Sequence, residues 1–147
     1  MTMQEAEAEC IRTGGGHLAS IHSDAQRDAI AALGVDVWIG FHDRHSEAGC
    51  TGQSNDASEE GGFVWTDGTV TDYLSWGGGE PNDWQAGVAH CDGTGNEDCT
   101  ETWQSGNTWN DANCDGAKPY ICGVCPTHGR NPTMYTYFDD SISMQNA

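Results

Sequence analysis

The chain has 147 residues and a formal net charge of −18, from 23 acidic and five basic residues, which suits one acidic domain. This charge makes nucleic acids and anionic membranes poor partners, and no apolar run approaches the ~20 residues of a membrane-spanning helix. Seven cysteines in so short a chain indicate an oxidising, extracellular compartment and a disulfide framework. Because only 36% of the residues are hydrophobic, we expect crosslinks and a bound cation to help order the fold.

The beginning of the chain predicts two helices. Ala and Glu favour a helix over residues 2–12, which Thr2 caps. A short strand is expected at residues 17–21, and a second helix begins after the cap Ser23. The helical side chains expected to be buried are Met3, Ala6, Cys10, Ile11, Ala29, Ile30 and Leu33.

The rest of the chain predicts short strands separated by polar loops. Residues 42–62 and 85–96 are polar and are expected to be loop and insertion, respectively. Strands are expected at residues 37–41, 63–65, 99–103, 120–122 and 135–138. Trp38, Trp65, Trp76 and Trp109 are expected in the core, with Tyr73 and Leu74 as loop anchors. Two early helices followed by short strands indicate an α+β fold.

Oxygen-bearing side chains are concentrated in three short clusters. They are Glu80-Pro81-Asn82-Asp83-Trp84, Glu97-Asp98-Cys99 and Trp109-Asn110-Asp111. Carboxylate and amide oxygens suit a hard cation, and Ca²⁺ takes roughly 6–8 of them at about 2.3–2.6 Å. Thiolates and imidazoles are sparse here, which disfavours zinc. No nucleophile stands beside a base and no carboxylate pair is spared from the metal, so an enzyme is not expected.

The end of the chain repeats its beginning. After a linker at residues 126–134, the strand predicted at 135–138 is followed by Ile142–Ala147, which parallels Met1–Ala6. Residues 135–147 would then form a strand and the start of a helix. This tail either closes the same domain or completes a neighbouring copy by strand donation.

The predicted helices, strands and oxygen-bearing clusters, in their order along the chain, resemble the C-type lectin domain from residue 1 to about residue 122. The resemblance rests also on Gly15–Ile21, Trp38-Ile39-Gly40, Phe63–Gly68 and Pro119–Cys122. It implies a C-type lectin-like fold over residues 1–125, with two helices, short antiparallel sheets and a long calcium-binding loop region stapled by disulfides. The implied bridges are Cys10–Cys122 and Cys99–Cys114. We expect Cys50–Cys91 as an additional staple, while the other pairings among Cys50, Cys91 and Cys125 stay open.

The resemblance also implies a calcium site that binds sugar hydroxyls. Its principal ligands would be Glu80, Asn82, Glu97, Asn110 and Asp111. In related lectins the Glu-Pro-Asn order accompanies mannose-type sugars, including fucose and GlcNAc, and the Glu80–Pro81 bond would be cis. Trp84 would either stack on the ligand or be a solvated loop residue. A second calcium site would use Asp43, Glu47, Asp83, Glu97 and Asp98, with Asp56, Glu59 and Glu60 as competitors.

The leading hypothesis is therefore an extracellular, calcium-dependent domain that binds glycans, with Ca²⁺ as its cofactor. The insertion at residues 85–96 would either cover the sugar site or extend it. The alternative is a structural repeat unit of an extracellular filament or tandem array, assembled by donation of the C-terminal strand and stabilised by calcium. A third hypothesis, ice binding by the calcium-loaded surface, rests on family analogy alone.

Overall fold

The α+β fold predicted from the sequence is confirmed. The computed structural model describes residues 1–13, 16–43, 63–82, 97–104, 107–123 and 135–138. Within these ranges no helix is long and apolar enough to span a membrane. The helices are α1 (Met3–Arg12) and α2 (Asp24–Ala31), and the strands are β1 (Trp38–His42), β2 (Val64–Trp65), β3 (Cys99–Trp103), β4 (Thr108–Ala112), β5 (Tyr120–Gly123) and β6 (Tyr135–Phe138).

Both helices begin at the predicted caps. The Thr2 hydroxyl accepts from the Glu5 backbone N–H at 3.2 Å, and the Glu5 carboxylate accepts from the Thr2 N–H at 2.9 Å. The Ser23 hydroxyl accepts from the Gln26 N–H at 3.2 Å. These bonds satisfy backbone donors that a helix start leaves without partners. The capping signals are therefore sufficient to place both helix starts.

The predicted buried stripes are narrower than expected. Met3, Ala6 and Cys10 are buried in α1, but Ile11 is 55% exposed. Ile11 follows Cys10 by about 100° around the helix and so leaves the face that contacts the sheet. In α2 only Ile30 is buried. The prediction for Ala29 was wrong because it lies on the exposed face, and that for Leu33 was wrong because it lies beyond the helix end and is 39% exposed.

The described strands form one sheet of six, in the order β4-β3-β1-β5-β6, with β2 also pairing with β1. All pairings are antiparallel except that of β1 with β5. The sequence pattern did not predict β4 as a strand. Residues 17–21 were wrongly expected to form a strand, since they contribute only a single isolated bridge, Leu18 to Cys122.

Two clusters of buried residues make up the described core. One lies between α1 and the sheet and includes Met3, Leu18 and Trp38, and the other includes Ile30, Phe41 and Trp109. Trp38, Trp65 and Trp109 are buried, and Trp76 and Tyr73 pack against the second cluster, as predicted. Leu74 was wrongly taken as an anchor, because its side chain points to solvent and is 57% exposed.

Two crosslinks hold the sheet to its surroundings, and both match the expected pairing. Cys10–Cys122 joins α1 to β5, and Cys99–Cys114 joins β3 to the segment that follows β4. The proposed Cys50–Cys91 bridge and the partner of Cys125 lie outside the described residues.

The tail strand lies at one edge of the sheet. β6 pairs antiparallel with β5 of the same chain, with Phe138 opposite Tyr120 and Tyr135 opposite Gly123. This pairing agrees with closure of the same domain within one copy. The linker at 126–134 and residues 139–147 lie outside the described residues.

Candidate functional site

The loop that carries Glu80 is fixed against the edge of β4. The Trp109 N–H donates to the Ser75 carbonyl at 2.8 Å, and the Gly77 N–H donates to the Trp109 carbonyl at 2.8 Å. A Cβ at Gly77 would come within 2.9 Å of the Trp103 ring, so only glycine allows this approach. The Glu80 N–H then donates to the Gly77 carbonyl at 3.0 Å. The loop therefore reaches the site already attached to the strand that carries Asp111.

Asn82 and Asp111 are joined directly. The Asn82 backbone N–H donates to both Asp111 carboxylate oxygens, at 2.9 and 3.1 Å. The intervening Glu80–Pro81 bond is cis, in agreement with the resemblance. Asp111 is only 1% exposed. A buried carboxylate thus fixes the turn between the predicted ligands Glu80 and Asn82.

Glu80 completes a group of three interacting carboxylates. Its own burial raises its pKa to about 7, helped by a hydrogen bond with Asp111 and by the negative charges of Asp111 and Glu97. Burial and neighbouring negative charge both disfavour the ionised carboxylate. The arrangement therefore favours either a proton on Glu80 or a cation beside it.

Two oxygen atoms of the predicted ligands are buried without a hydrogen-bond partner in the described part of the chain. They are Glu80 Oε2 and Asn82 Oδ1. An unsatisfied buried polar group costs roughly 1–3 kcal/mol. Both atoms are acceptors, so a hydrogen-bond donor or a metal ion would satisfy them. The donor set of carboxylates and amides fits a calcium ion better than a transition metal.

The remaining predicted ligand, Asn110, contacts a residue of the neighbouring strand β3. It pairs with Glu101 in the register of β3 and β4, and its Nδ2 donates to Glu101 Oε1 at 3.2 Å. Successive side chains of a strand point to opposite faces, so Asn110 and Asp111 leave β4 in different directions. The structure thus joins Asn82 and Asp111 by hydrogen bonds and links Glu80 electrostatically to Asp111 and Glu97, whereas Asn110 is connected through the backbone of β4.

Within the described ranges, no three histidine, cysteine, aspartate or glutamate side chains are clustered closely enough to hold a metal by themselves. A site here would therefore need the asparagine oxygens as well as the acids. Asparagine oxygen is an ordinary calcium ligand. The amides in the set are thus essential to the predicted coordination.

Two residues predicted for the second site, Asp43 and Asp98, are joined through their backbones. The Asp43 N–H donates to the Asp98 carbonyl at 3.1 Å, and both residues are buried, at 6% and 8% exposed. The end of β1 and the residue before β3 therefore meet. Glu47, Asp83, Trp84, Asp56, Glu59 and Glu60 lie outside the described residues, so the roles predicted for them stay predictions.

Sequence reasoning missed the neighbours of Asn110. Glu101 Oε2 forms an ion pair with Lys118 Nζ at 2.7 Å, and that ammonium lies 5.3 Å from the centre of the Trp38 ring. Only the strand register places Glu101 opposite Asn110. Because the residue pattern does not identify β4 as a strand, it supplies no register from which to find this pair.

Comparison with known proteins agrees with this architecture. The family model of the Lectin C-type domain matches residues 1–124. An alpha-N-acetylgalactosamine-specific lectin of Patiria pectinifera is 30% identical over 141 residues, covering 86% of this chain and 70% of that protein. A C-type lectin of Cerberus rynchops is 33% identical over 131 residues, covering 82% and 69%. A solved calcium-independent type II antifreeze protein superposes with a TM-score of 0.60 at 31% identity, covering 83% of this chain and 77% of that one.

Proposed function

The chain belongs to the C-type lectin domain family, a non-enzymatic family in which the relatives named above are lectins, and from this premise we propose that it is an extracellular lectin that binds glycans through calcium. The proposed ligands of the ion are Glu80, Asn82, Glu97, Asn110 and Asp111. The buried acceptors Glu80 Oε2 and Asn82 Oδ1 carry this proposal, because they lie beside the Asp111 carboxylate and have no partner among the described residues.

The same residues have the right chemistry for sugar hydroxyls. A bound calcium ion would supply a Lewis acid for the oxygen lone pairs of two neighbouring hydroxyls. The carboxylates can accept the hydroxyl protons, and the asparagine amides can donate to the hydroxyl oxygens. Such alternation of acceptors and donors orients a pair of hydroxyls, which is the basis of sugar recognition at this site.

The proposed sugar class rests on the resemblance to related lectins, in which Glu-Pro-Asn, here residues 80–82, accompanies mannose, fucose and GlcNAc. The relative from Patiria pectinifera is instead named as specific for alpha-N-acetylgalactosamine. We propose the mannose-type class. An array carrying both classes of glycan decides between them, and binding confined to galactose or GalNAc would contradict the assignment.

Calcium dependence is tested by the same array with and without a chelator. We expect binding that needs calcium and returns when calcium is restored. A folded, calcium-saturated protein that binds none of the glycans would remove the lectin proposal. Binding that is indifferent to chelator would remove only the role of calcium.

The solved neighbour described as a calcium-independent antifreeze protein makes thermal hysteresis a useful second assay. We expect no hysteresis in either condition, because the proposed site consists of polar ligands arranged around one ion. Hysteresis without sugar binding would replace the lectin proposal. We do not propose the filament alternative, since β6 already pairs with β5 of its own chain.

A further inference from the structure

Glu101 contacts one predicted calcium ligand with one oxygen and a cation with the other. Its Oε1 accepts from Asn110 Nδ2 at 3.2 Å, and its Oε2 lies 2.7 Å from Lys118 Nζ. The Glu101 side chain is only 12% exposed. A charged hydrogen-bond acceptor in such a place is better ordered than a surface carboxylate, because both oxygens have partners and little water reaches them.

Besides its ion pair with Glu101, Lys118 is held by further contacts of its backbone and its ammonium. Its backbone N–H donates to the Met1 carbonyl at 3.0 Å, and its ammonium lies 5.3 Å from the Trp38 ring centre, in the range of a cation–π contact. Trp38 is fully buried, and its Nε1 donates to the same Met1 carbonyl at 3.1 Å. The ammonium therefore offers Glu101 a fixed partner that is anchored to the core.

The chemistry of Glu101 decides which way the Asn110 amide faces. An ionised carboxylate can only accept hydrogen bonds, so the Asn110 group that faces it must be the NH₂ and not the oxygen. The amide oxygen is then directed away from Glu101, and the second hydrogen of Nδ2 stays available as a donor. An asparagine without this neighbour could present either end of its amide to an ion.

We propose that Glu101, held by Lys118, is a positioning residue for the calcium site, and that it fixes the Asn110 amide with its oxygen available to the ion. This inference rests on the proposed calcium-dependent function. Glu101 would act through Asn110 and would not touch the ion. Residues of this kind orient metal ligands from behind, and their loss weakens metal binding typically about 10–100-fold.

The test compares Glu101→Gln with the wild type by calorimetric titration of calcium. Glutamine keeps the size of the side chain, but it can offer a donor as well as an acceptor, so the Asn110 amide is no longer held in one orientation. We expect calcium affinity to fall about 10-fold. The matched control is Glu9→Gln, which removes the same charge from the exposed ion pair with Arg12 on α1 and should leave affinity unchanged.

Two further measurements separate positioning from a merely structural role. In metal-free protein, the side-chain ¹⁵N–¹H₂ signals of Asn110 should move in Glu101→Gln, while the melting temperature in chelator stays close to that of the wild type. Lys118→Met keeps the Glu101 carboxylate as the acceptor for Asn110 and removes only the ion pair that holds Glu101, so we expect a smaller loss of calcium affinity.

The donor and acceptor roles of Asn110 and Glu101 can also be exchanged by substitution. Asn110→Asp alone places two carboxylates opposite each other, which is unfavourable for a cross-strand pair. Adding Glu101→Gln restores one donor and one acceptor. The double variant should therefore bind calcium more tightly than Asn110→Asp alone.

The possible results separate the two proposals. If wild type binds calcium and Glu101→Gln binds it equally well with unmoved Asn110 signals, the positioning role is wrong while the proposed function stands. The positioning role is equally wrong if the loss in Glu101→Gln is matched by Glu9→Gln. If wild type itself binds no calcium, the proposed function and this inference fall together.

Discussion

Trp109 and Asp111 lie two residues apart on β4 and share one face of the sheet, yet their surroundings are opposite. Both side chains are buried, at 0% and 1% exposed. Trp109 is enclosed by aromatic rings whose centres lie 5.6–5.9 Å away, those of Phe41, Trp65, Tyr73 and Trp76. Asp111 is instead close to the carboxylate of Glu80, on which the negative charge of Glu97 also acts.

The difference separates an apolar region that is stable by itself from an acidic region that, under the proposed function, is completed by a calcium ion. Burial of apolar surface is favourable by itself, at roughly 25 cal/mol per Å². Burial of like charges is unfavourable unless a cation or a proton compensates it. The aromatic core should therefore be formed with or without calcium, whereas the acidic site should be completed by the ion. Substitutions in one region should leave the other intact.

The largest expected effect comes from removing the aromatic centre. Trp109→Ala should lower the free energy of unfolding by about 3–5 kcal/mol, because a large buried side chain leaves a cavity that the sheet cannot close. The loss should be similar in calcium and in chelator, which chemical denaturation in both solutions would measure. The control is Leu74→Ala, at a side chain 57% exposed, which should change stability by less than about 0.5 kcal/mol.

A loss confined to the calcium-loaded protein would break the comparison, since it would mean that the core depends on the ion. If Leu74→Ala were as destabilising as Trp109→Ala, the loss in Trp109→Ala would not arise from the burial of its side chain.

The complementary change is Asp111→Asn, which should weaken calcium binding about 100-fold or more, since it removes a ligand and not merely its support. In chelator the variant should be as stable as wild type or slightly more stable. Asparagine keeps an acceptor for the Asn82 N–H, while the negative charge that raises the pKa of Glu80 is gone. Calcium titration and thermal melting in chelator would measure the two effects.

The matched control for this change is Asp28→Asn. Asp28 lies on α2 with its side chain 60% exposed, so the substitution removes the same charge away from the site. It should leave calcium affinity nearly unchanged. Equal losses in the two variants would indicate that calcium responds to overall charge and not to a defined site.

The parts of this molecule that could be predicted are those encoded over short stretches of sequence. The capping box of α1 and the buried residues Met3, Ala6 and Cys10 follow from spacing within one helix. The family resemblance supplied the pairing Cys10–Cys122 and the grouping of Glu80 with Asn82 and Asp111.

What could not be predicted depends on how strands pair. β4 contains Trp109, Asn110 and Asp111, a mixture of polar and apolar residues without clear alternation, and its strand character comes from five pairs with β3. The contact between Asn110 and Glu101 exists only in that register. The exposed positions of Ile11 and Leu74 likewise depend on which faces the rest of the fold covers.

The smallest expected effect is a pH dependence of the free energy of unfolding, and it sharpens the contrast between the two regions. Burial raises the pKa of Glu80 to about 7 from an ordinary value of 4.5. Between these values the folded state binds more protons than the unfolded state, so the free energy of unfolding should fall as pH rises. Calcium-free denaturation at several pH values from about 5 to about 8 would measure the decline, which should be complete above the folded pKa.

Glu80→Gln isolates this contribution, because glutamine has no proton to gain or lose while the other acidic residues of the chain are unchanged. The variant should lack the part of the decline that falls between pH 4.5 and about 7, the interval between the ordinary and the raised pKa of Glu80. In saturating calcium the wild-type trend should reverse over the same window, because the ion holds Glu80 ionised and protons compete with it. The contrary result is a free energy of unfolding that, without calcium, falls equally with pH in Glu80→Gln and in wild type. The Glu80 carboxylate would then not be the origin of the pH dependence. The contrast between the acidic site and the aromatic core would lose its electrostatic basis.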